Sequence, residues 1–352
     1  MRWLCALLLS FSLAGAGRSQ EHTVRIGVLG IFHPQELTLA ADPGGELLIS
    51  AANQGLFVRA RSSCSILSIR ISGGGLALSC GGKEIRATEM RASGRNQQSA
   101  GLVISVPGKL KRRYEGILEV KVKNGELVPI VTMGLETAVA SVVQAETSTG
   151  VPLEALKAQA VVSRSYFVAG RGRHTDFDFC DLTHCQFLRE APASESAAAK
   201  AAAATQGLLL TYEDKPVAAM FTRSCSGHTR TPEEIGLPWS GYPYFSVACD
   251  FCYQNPVRWT RKVSRADAAL LSRGENGRLA VGRRLGWDAV PSNNFTAREE
   301  GGEVILEGVG QGHGVGLCQR GARGMAEAGA DFRAILQHYF PNIKIQELPS
   351  VP

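Results

Sequence analysis

A compact set of histidine and cysteine side chains is the clearest chemical signal in the sequence. Two nitrogen and two sulfur donors lie within twelve residues: His174, Cys180, His184 and Cys185. A closed tetrahedral zinc site takes four donors of these types, so the segment predicts a structural zinc ion. The alternative is a Cys180–Cys185 disulfide beside two bystander histidines.

A carboxylate and an arginine occupy two helical patterns just before this set. Glu146 follows the apolar face of the first helix and precedes a Thr/Ser/Gly turn. A carboxyl half-buried at a helix end has a raised pKa, which suits a general acid near neutral pH. Arg164, on the second helix, would pair with Glu146 or with an anionic group of a substrate. The alternative for both is an ordinary solvated side chain on a helix surface.

Eight of the nine cysteines remain once Cys5 is set aside, and an even number is typical of disulfides in an exported protein. Cys64 and Cys80 fall in a β-rich region and are predicted to form one disulfide. Four others are spread over ninety-odd residues: Cys225, Cys249, Cys252 and Cys318. Because of that spread, disulfides or a structural staple are favoured over a second metal ion.

The N-terminal third of the chain has the pattern of β-structure. From Thr23 to about Val131, short strand-like runs are separated by turn residues. The last of these runs form a hairpin, because Asn124-Gly125 between two alternating segments is the signal of a tight turn.

At Gly134 the hydrophobic period changes to that of a helix. The first helix is predicted to end near Glu146, and Pro152 opens a second one. The alanine-rich segment 191–206 predicts a third helix, which stops at Gly207.

The C-terminal part mixes short strands and helices. A hairpin is predicted after Gly207 and a helix at 265–278. The glycine-rich segment 310–316 leads from a strand into a helix, where His313 lines a cleft or belongs to a tight turn. This segment lacks the flanking pattern of a phosphate-binding loop, which argues against a nucleotide ligand. Neither a G-x-S-x-G nor an H-E-x-x-H motif occurs, so serine hydrolases and zincins lose their best support.

Composition and the first residues indicate an exported globular protein. The chain has 352 residues, 44% of them hydrophobic, which is enough for a large core. Arg2, an apolar run and the triplet Ala14-Gly15-Ala16 are typical of a signal peptide cleaved after Ala16, with an uncleaved anchor as the alternative. We therefore expect the periplasm or cell envelope. The formal charge of +6 favours an acidic polymer or simply reflects ordinary solubility.

Seven stretches together resemble the SpoIID/LytB family, which includes stage II sporulation protein D. They recur in family order from about residue 130 to 345: LETAVASVVQAE, VPLEALKAQAVVSRSY, CDLTHCQ, ATQGLLLTYEDKPVAAMFTRSCSGHT, PYFSV, GQGHGVGLCQRGA and ILQHYFPN. With the sequence patterns, this predicts an α+β fold. A signal peptide at 1–16 and a β-rich N-terminal region at 17–131 precede a mixed helix/strand SpoIID-like catalytic domain at 132–345. A tail at 346–352 follows.

The resemblance implies activity on bacterial cell-wall glycan. Sporulation members of the family are lytic transglycosylases that cleave glycan strands stripped of stem peptides, and LytB-type members are described as enhancers of a cell-wall amidase. The expected ligand is therefore a peptidoglycan glycan strand, with an amidase as a second candidate partner and no nucleic acid or nucleotide. A carbohydrate-binding structural protein of the envelope is a third, weaker reading.

The resemblance also assigns residues. The catalytic glutamate of the family matches Glu146, and its activity-associated arginine matches Arg164. Its zinc ligands match the four-residue set His174, Cys180, His184 and Cys185. Further side chains in the matching stretches are expected to line the substrate cleft: Ser224, His228, His313 and Gln319.

The chain departs from the family pattern at two places. It has Gln144-Ala145-Glu146-Thr147 where the family commonly has Pro-Ser-Glu-Met, and Cys318 where the family has a serine. Glu146 is present despite both differences. The additional cysteines indicate a subgroup with extra cross-links.

Overall fold

The structure is a computed structural model that describes residues 22–172, 174–238 and 241–349. The predicted signal peptide at 1–16 lies outside these residues, as do the last three residues of the predicted tail. Within the described ranges, we find no helix long and apolar enough to cross a membrane.

The N-terminal region is β-structure, as predicted. Its strands alternate buried and exposed residues, which places one side of each strand in the core. The strands are β1 Thr23–Gly27, β2 Glu36–Ala41, β3 Glu46–Ala51, β4 Gln54–Arg59, β5 Leu67–Ser72, β6 Gly75–Cys80, β7 Lys83–Ala87, β8 Glu89–Ser93, β9 Ala100–Val106, β10 Leu110–Lys123 and β11 Glu126–Gly134.

The long strand β10 makes this sheet curl. Residues 110–116 pair with β9, whereas residues 117–123 pair with β11, and β8 also joins the second half. Gly116 lies where the pairing changes, and a Cβ atom there would come within 2.3 Å of the Thr132 carbonyl oxygen. The predicted hairpin between β10 and β11 is confirmed, because Asn124 and Gly125 both have positive φ.

Three helices pack against the sheet and against one another. These are α1 Leu135–Glu146, α2 Leu153–Ala169 and α3 Ala197–Ala204. The bounds of α1 and α2 confirm the predicted end near Glu146 and the start after Pro152. The alanine-rich helix is shorter than predicted, because Ser196 caps its first turn by accepting the Ala199 N–H.

The other face of α2 contributes to a second core in the C-terminal region. A small third core lies between a three-stranded sheet and two helices. The remaining helices are α4 Asp250–Gln254, α5 Arg265–Leu270, α6 Glu275–Leu285, α7 Gln319–Glu327 and α8 Phe332–Tyr339. The remaining strands are β12 Phe179–Cys180, β13 Leu208–Tyr212, β14 Lys215–Pro216, β15 Phe221–Thr222, β16 Arg258–Ser264, β17 Phe295–Glu300, β18 Glu303–Val309, β19 Leu317–Cys318 and β20 Lys344–Glu347. Short 3-10 helices lie at Gly30–Phe32, Arg95–Gln97, Glu233–Ile235 and Leu271–Arg273.

Two predicted boundaries need correction. The helix expected at 265–278 is broken at Gly274, which has a positive φ and approaches the Ile235 carbonyl too closely for any side chain. The tail expected from residue 346 begins inside β20, whose last residues pair with β13. The polar composition of β20 conceals a strand that is stabilised by its neighbour rather than by its own periodicity.

Candidate active-site cleft

Glu146 is the last residue of α1, and its side chain faces a cleft. The helix stops because Thr147 is extended and Pro152 begins the next helix six residues later. The partly exposed Glu146 carboxylate accepts the Phe187 backbone N–H through Oε1 at 3.1 Å. The predicted location of Glu146, at a break between two helices, is confirmed.

The surroundings of Glu146 favour its protonated form. Burial raises the pKa of Glu146 to about 7, against the smaller lowering effects of the Phe187 N–H and the Arg223 charge. A carboxyl with that pKa is substantially protonated near neutral pH and can donate a proton. The side chain can therefore act as a general acid and then, once ionised, as a general base.

Two cavities adjoin Glu146 and share part of their lining. Their volumes are about 460 and 360 Å³, and four residues line both: Glu146, Arg223, Gln311 and Gln319. The first cavity continues along α7 past Arg320 and Arg323, and the second continues toward Trp287 and His313. An extended ligand would therefore pass over Glu146 with contacts on both sides.

Other carboxyl groups along the cleft are already paired or exposed. Among the described lining residues these are Glu275, Asp288 and Glu327. Glu275 binds Arg278 at 2.7 Å and the Asn293 amide at 2.6 Å. Although burial opposes its ionisation, Arg278 holds the pKa of Glu275 below its ordinary value. Glu327 pairs with Arg323 at 2.7 Å. The pKa of Glu146 is thus shifted in the opposite direction from that of Glu275.

The histidine and cysteine set converges in space. The donor atoms of His174, Cys180, His184 and Cys185 all lie within 4.8 Å of one another. Measured contacts include His174 Nε2 to Cys185 Sγ at 3.3 Å and Cys180 Sγ to His184 Nδ1 at 3.8 Å. Tetrahedral coordination by nitrogen at about 2.0 Å and sulfur at about 2.3 Å needs donor separations of about 3.3–3.8 Å. The residues therefore fit a zinc ion.

This cluster, called here the His/Cys cluster, lies on the loop that carries the hydrogen bond to Glu146. Cys185 is followed by Gln186, whose amide donates to the Ser163 carbonyl at 3.1 Å, and then by Phe187. At its other end the loop pairs with strand β1 through β12, and the buried Asp181 accepts the Leu29 N–H at 3.0 Å. An ion bound here would hold the loop in the shape that presents the Phe187 N–H to Glu146.

Arg164 is not in the cleft, which corrects the expected pairing with Glu146. Its side chain is 0% exposed and forms two hydrogen bonds with Glu136, at 2.6 and 2.7 Å. It also donates to the carbonyl oxygens of Leu208 and Ala202. Arg164 is buried because the face of α2 that carries it packs against α1 and α3 rather than facing solvent. Arg164 joins three elements of the core.

The four predicted cleft residues divide into two groups. Gln319 lines both cavities and donates to the Glu146 carbonyl at 3.4 Å, and His313 lines the second cavity. Ser224 is buried next to Cys252, and His228 is exposed in a separate shallow pocket. Ser224 and His228 therefore lie outside the two cavities, which corrects their expected place in the cleft: Ser224 is enclosed in the second core, and His228 lines a different pocket.

Arg223 is a cleft residue that the sequence analysis missed. It lines both cavities, and its charge lowers the pKa of Glu146. The available signal was its place next to Ser224 in one of the matching stretches. Arg164 is the more conspicuous arginine in the sequence, because it lies on the helix that follows Glu146.

The cysteine predictions have mixed outcomes. The Cys64–Cys80 disulfide is confirmed, with an S–S distance of 2.01 Å. The expected disulfides among Cys225, Cys249, Cys252 and Cys318 are contradicted, because all four are free thiols. Their separation along the chain did not prevent them from meeting in the second core.

Comparison with known proteins agrees with this geometry. A family model described as stage II sporulation protein matches residues 123–212, which include Glu146 and the His/Cys cluster. Stage II sporulation protein D of Bacillus amyloliquefaciens is 29% identical over 61% of this chain and 75% of its own length. An uncharacterized protein of Brachyspira hyodysenteriae is 28% identical over 66% of this chain and 72% of its own length.

A shorter match is to the amidase enhancer of Bacillus subtilis, which is 35% identical over 57 residues. This match covers 16% of this chain and 8% of that protein. The similarity to stage II sporulation protein D extends over 61% of the chain, and the range that the family model matches includes Glu146. The chain thus resembles the SpoIID family in residues 123–212 and is similar to stage II sporulation protein D.

Proposed function

We propose that the protein is a lytic transglycosylase that cleaves peptidoglycan glycan strands. The observation that carries this proposal is Glu146, whose raised pKa coincides with its position between two cavities. A paired-carboxylate hydrolase needs a second acid to activate water or to form a covalent intermediate. Lytic cleavage needs only one carboxyl, which acts first as acid and then as base.

In this mechanism Glu146 donates its proton to the glycosidic oxygen on C4 of N-acetylglucosamine as the bond between that oxygen and C1 of N-acetylmuramic acid breaks. The resulting carboxylate then accepts the proton of the muramic C6 hydroxyl, whose oxygen bonds to C1. The products are a free 4-hydroxyl and a 1,6-anhydro ring, and no water is consumed. Glu146 regains its proton, which completes the cycle.

Arg223 takes the role that the sequence analysis gave to Arg164. Glycan stripped of stem peptides carries a free lactyl carboxylate on each muramic residue. Arg223 faces both cavities, and Arg320 and Arg323 extend positive charge along the first. An arginine binds such a carboxylate through two parallel hydrogen bonds. The basic wall thus suits stripped glycan.

A zinc ion held by His174, Cys180, His184 and Cys185 would serve as a brace. All four ligand positions of a tetrahedral ion would be filled by protein, which leaves none for substrate. Its contribution to the reaction is then indirect, through the Phe187 N–H that fixes the Glu146 carboxylate. We also propose export to the periplasm or cell envelope, where the substrate occurs.

Mass spectrometry of digested, peptide-free glycan tests the proposal. The wild-type protein is expected to release fragments that end in anhydromuramic acid, and Glu146→Gln is expected to release none. Glu327→Gln is a matched control, because Glu327 lines the same cleft but is paired with Arg323. Equal anhydro product from Glu146→Gln and the wild type would remove Glu146 from the mechanism.

The second candidate is a non-catalytic partner of a cell-wall amidase, and the short match to an amidase enhancer favours it. It predicts no anhydro product at any protein concentration and a faster amidase reaction when both proteins are mixed. The same digests, with and without an added N-acetylmuramoyl-L-alanine amidase, separate the two functions. Glu146→Gln would retain the stimulation if the protein acts only as a partner.

A further inference from the structure

Four cysteine sulfur atoms converge in the second core, well apart in sequence from the His/Cys cluster. Cys225, Cys249, Cys252 and Cys318 are each no more than 4% exposed, and their sulfur atoms all lie within 4.8 Å of one another. The Cys252 and Cys318 sulfur atoms are 3.5 Å apart. We call this set the four-cysteine cluster.

The separation of the sulfur atoms matches metal coordination better than disulfide bonding. Sulfur atoms of a disulfide are about 2.05 Å apart and bond in pairs. Four thiolates around a tetrahedral zinc ion, each at about 2.3 Å, are about 3.7 Å from one another. In the four-cysteine cluster each sulfur atom lies within 4.8 Å of the other three, which is close enough for all four to bind one ion.

Three other groups that can donate a hydrogen bond lie close to the sulfur atoms. The Gly321 N–H, in the first turn of α7, donates to Cys318 Sγ at 3.4 Å. The Tyr339 hydroxyl lies 3.3 Å from Cys249 Sγ, and the Ser224 hydroxyl lies 3.6 Å from Cys252 Sγ. Such donors stabilise the excess negative charge of a tetrathiolate site and orient its ligands.

Gly321 also shows how tightly the cluster is enclosed. A Cβ atom at this position would lie 2.4 Å from Cys249 Sγ and 1.9 Å from the Tyr339 hydroxyl oxygen. A side chain at position 321 would therefore collide with the cluster. The surrounding apolar side chains exclude solvent. A buried group of thiols with these surroundings is suited to a closed structural ion.

We propose that Cys225, Cys249, Cys252 and Cys318 bind a second zinc ion as a closed tetrathiolate site. The ion would join three segments that form one wall of the cleft. Cys225 follows Arg223 by two residues, Cys252 follows Phe251, and Cys318 precedes Gln319, and each of these neighbours lines the cavity beside Glu146. The second ion thus positions the basic wall, while the first braces the opposite loop.

Zinc content of the purified protein tests this proposal without reference to activity. The background variant is Cys180→Ser, which disables the His/Cys cluster. It is expected to retain about one equivalent of zinc, and the double variant Cys180→Ser/Cys252→Ser is expected to retain none. A Cys180→Ser protein without zinc, or with an equivalent of iron instead, would overturn the assignment.

Two measurements on the wild-type protein cover the case in which the double variant fails to fold. Thiol titration in denaturant and chelator, without reductant, is expected to count the six free cysteines. Peptide mapping is expected to find the Cys64–Cys80 link and no link within the four-cysteine cluster. Two free thiols together with links among these four cysteines would overturn the proposal. If the protein has the expected zinc content but shows no lytic activity, the proposed function is contradicted and the second zinc site is not.

Discussion

Helix α1 carries a glutamate near each end, and the two side chains have opposite surroundings. Glu136, in the first turn, is bound by the fully buried Arg164 and by the Gly207 N–H. Glu146, in the last turn, has a single backbone N–H as partner and faces a cleft. Glu136 helps to hold the helices together, whereas Glu146 faces the cleft with a pKa that burial raises. The two glutamates share a residue type and a helix, and they differ in whether an arginine side chain binds the carboxylate or a cleft adjoins it.

The largest difference expected between Glu136 and Glu146 is in the free energy of unfolding of their variants. Glu136→Gln leaves the Arg164 charge buried without an anion, so we expect a loss of about 3–5 kcal/mol in the free energy of unfolding. Glu146→Gln has no such buried partner and should cost far less at acidic pH. Urea unfolding of both variants at pH 5 measures the difference. Similar losses at the two positions would erase the distinction between them.

A smaller effect concerns the rate. If protonated Glu146 is the acid, the rate at which anhydro product forms falls about tenfold per pH unit above the pKa of about 7. Arg223→Gln should lower kcat/KM by about 10- to 150-fold, since a hydrogen bond to a charged group contributes about 1.5–3 kcal/mol. It should also move the alkaline limb to higher pH, because the Arg223 charge lowers the pKa of Glu146. A pH–rate profile with an unmoved limb would remove Arg223 from the vicinity of the acid.

The smallest effect is the pH dependence of stability. Glu146 has an ordinary pKa of 4.5, and burial raises it to about 7 in the folded protein. The folded state therefore binds more protons, so the contribution of Glu146 to stability is complete below pH 4.5 and is lost as the pH rises through 7. Glu146→Gln should gain about 1 kcal/mol relative to the wild type between pH 4.5 and pH 8.5, because the side chain is partly solvated. Parallel stability curves for the two proteins would contradict the raised pKa.

The sequence was informative where the signals are local. The Asn124-Gly125 turn, the end of α1 and the spacing of the His/Cys cluster each lie within a few residues, so periodicity and donor chemistry were sufficient to predict them. The α+β class followed from the same local patterns, which the structure has in the predicted order.

Features that depend on which surfaces meet were not predictable in this way. Arg164 and Glu136 are twenty-eight residues apart, and only the packing of α1 on α2 brings them together. The four-cysteine cluster joins segments on either side of a small inserted core, so its spacing along the chain suggested cross-links. Arg223 has no periodic signal, because the two-residue strand β15 that precedes it is too short to show one.

The pairing of β1 with both β11 and β12 has a kinetic consequence. Thr23 lies opposite Gly134, which closes a loop of about 110 residues, and Ile26 lies opposite Phe179 further along the chain. Closing such loops loses conformational entropy before the stabilising contacts form, so topologies of this kind fold slowly. The segment that presents Phe187 to Glu146 is thus completed only after the N-terminal strand β1 has paired with β11 and β12. The hydrogen bond from the Phe187 N–H to Glu146 would therefore form late in folding.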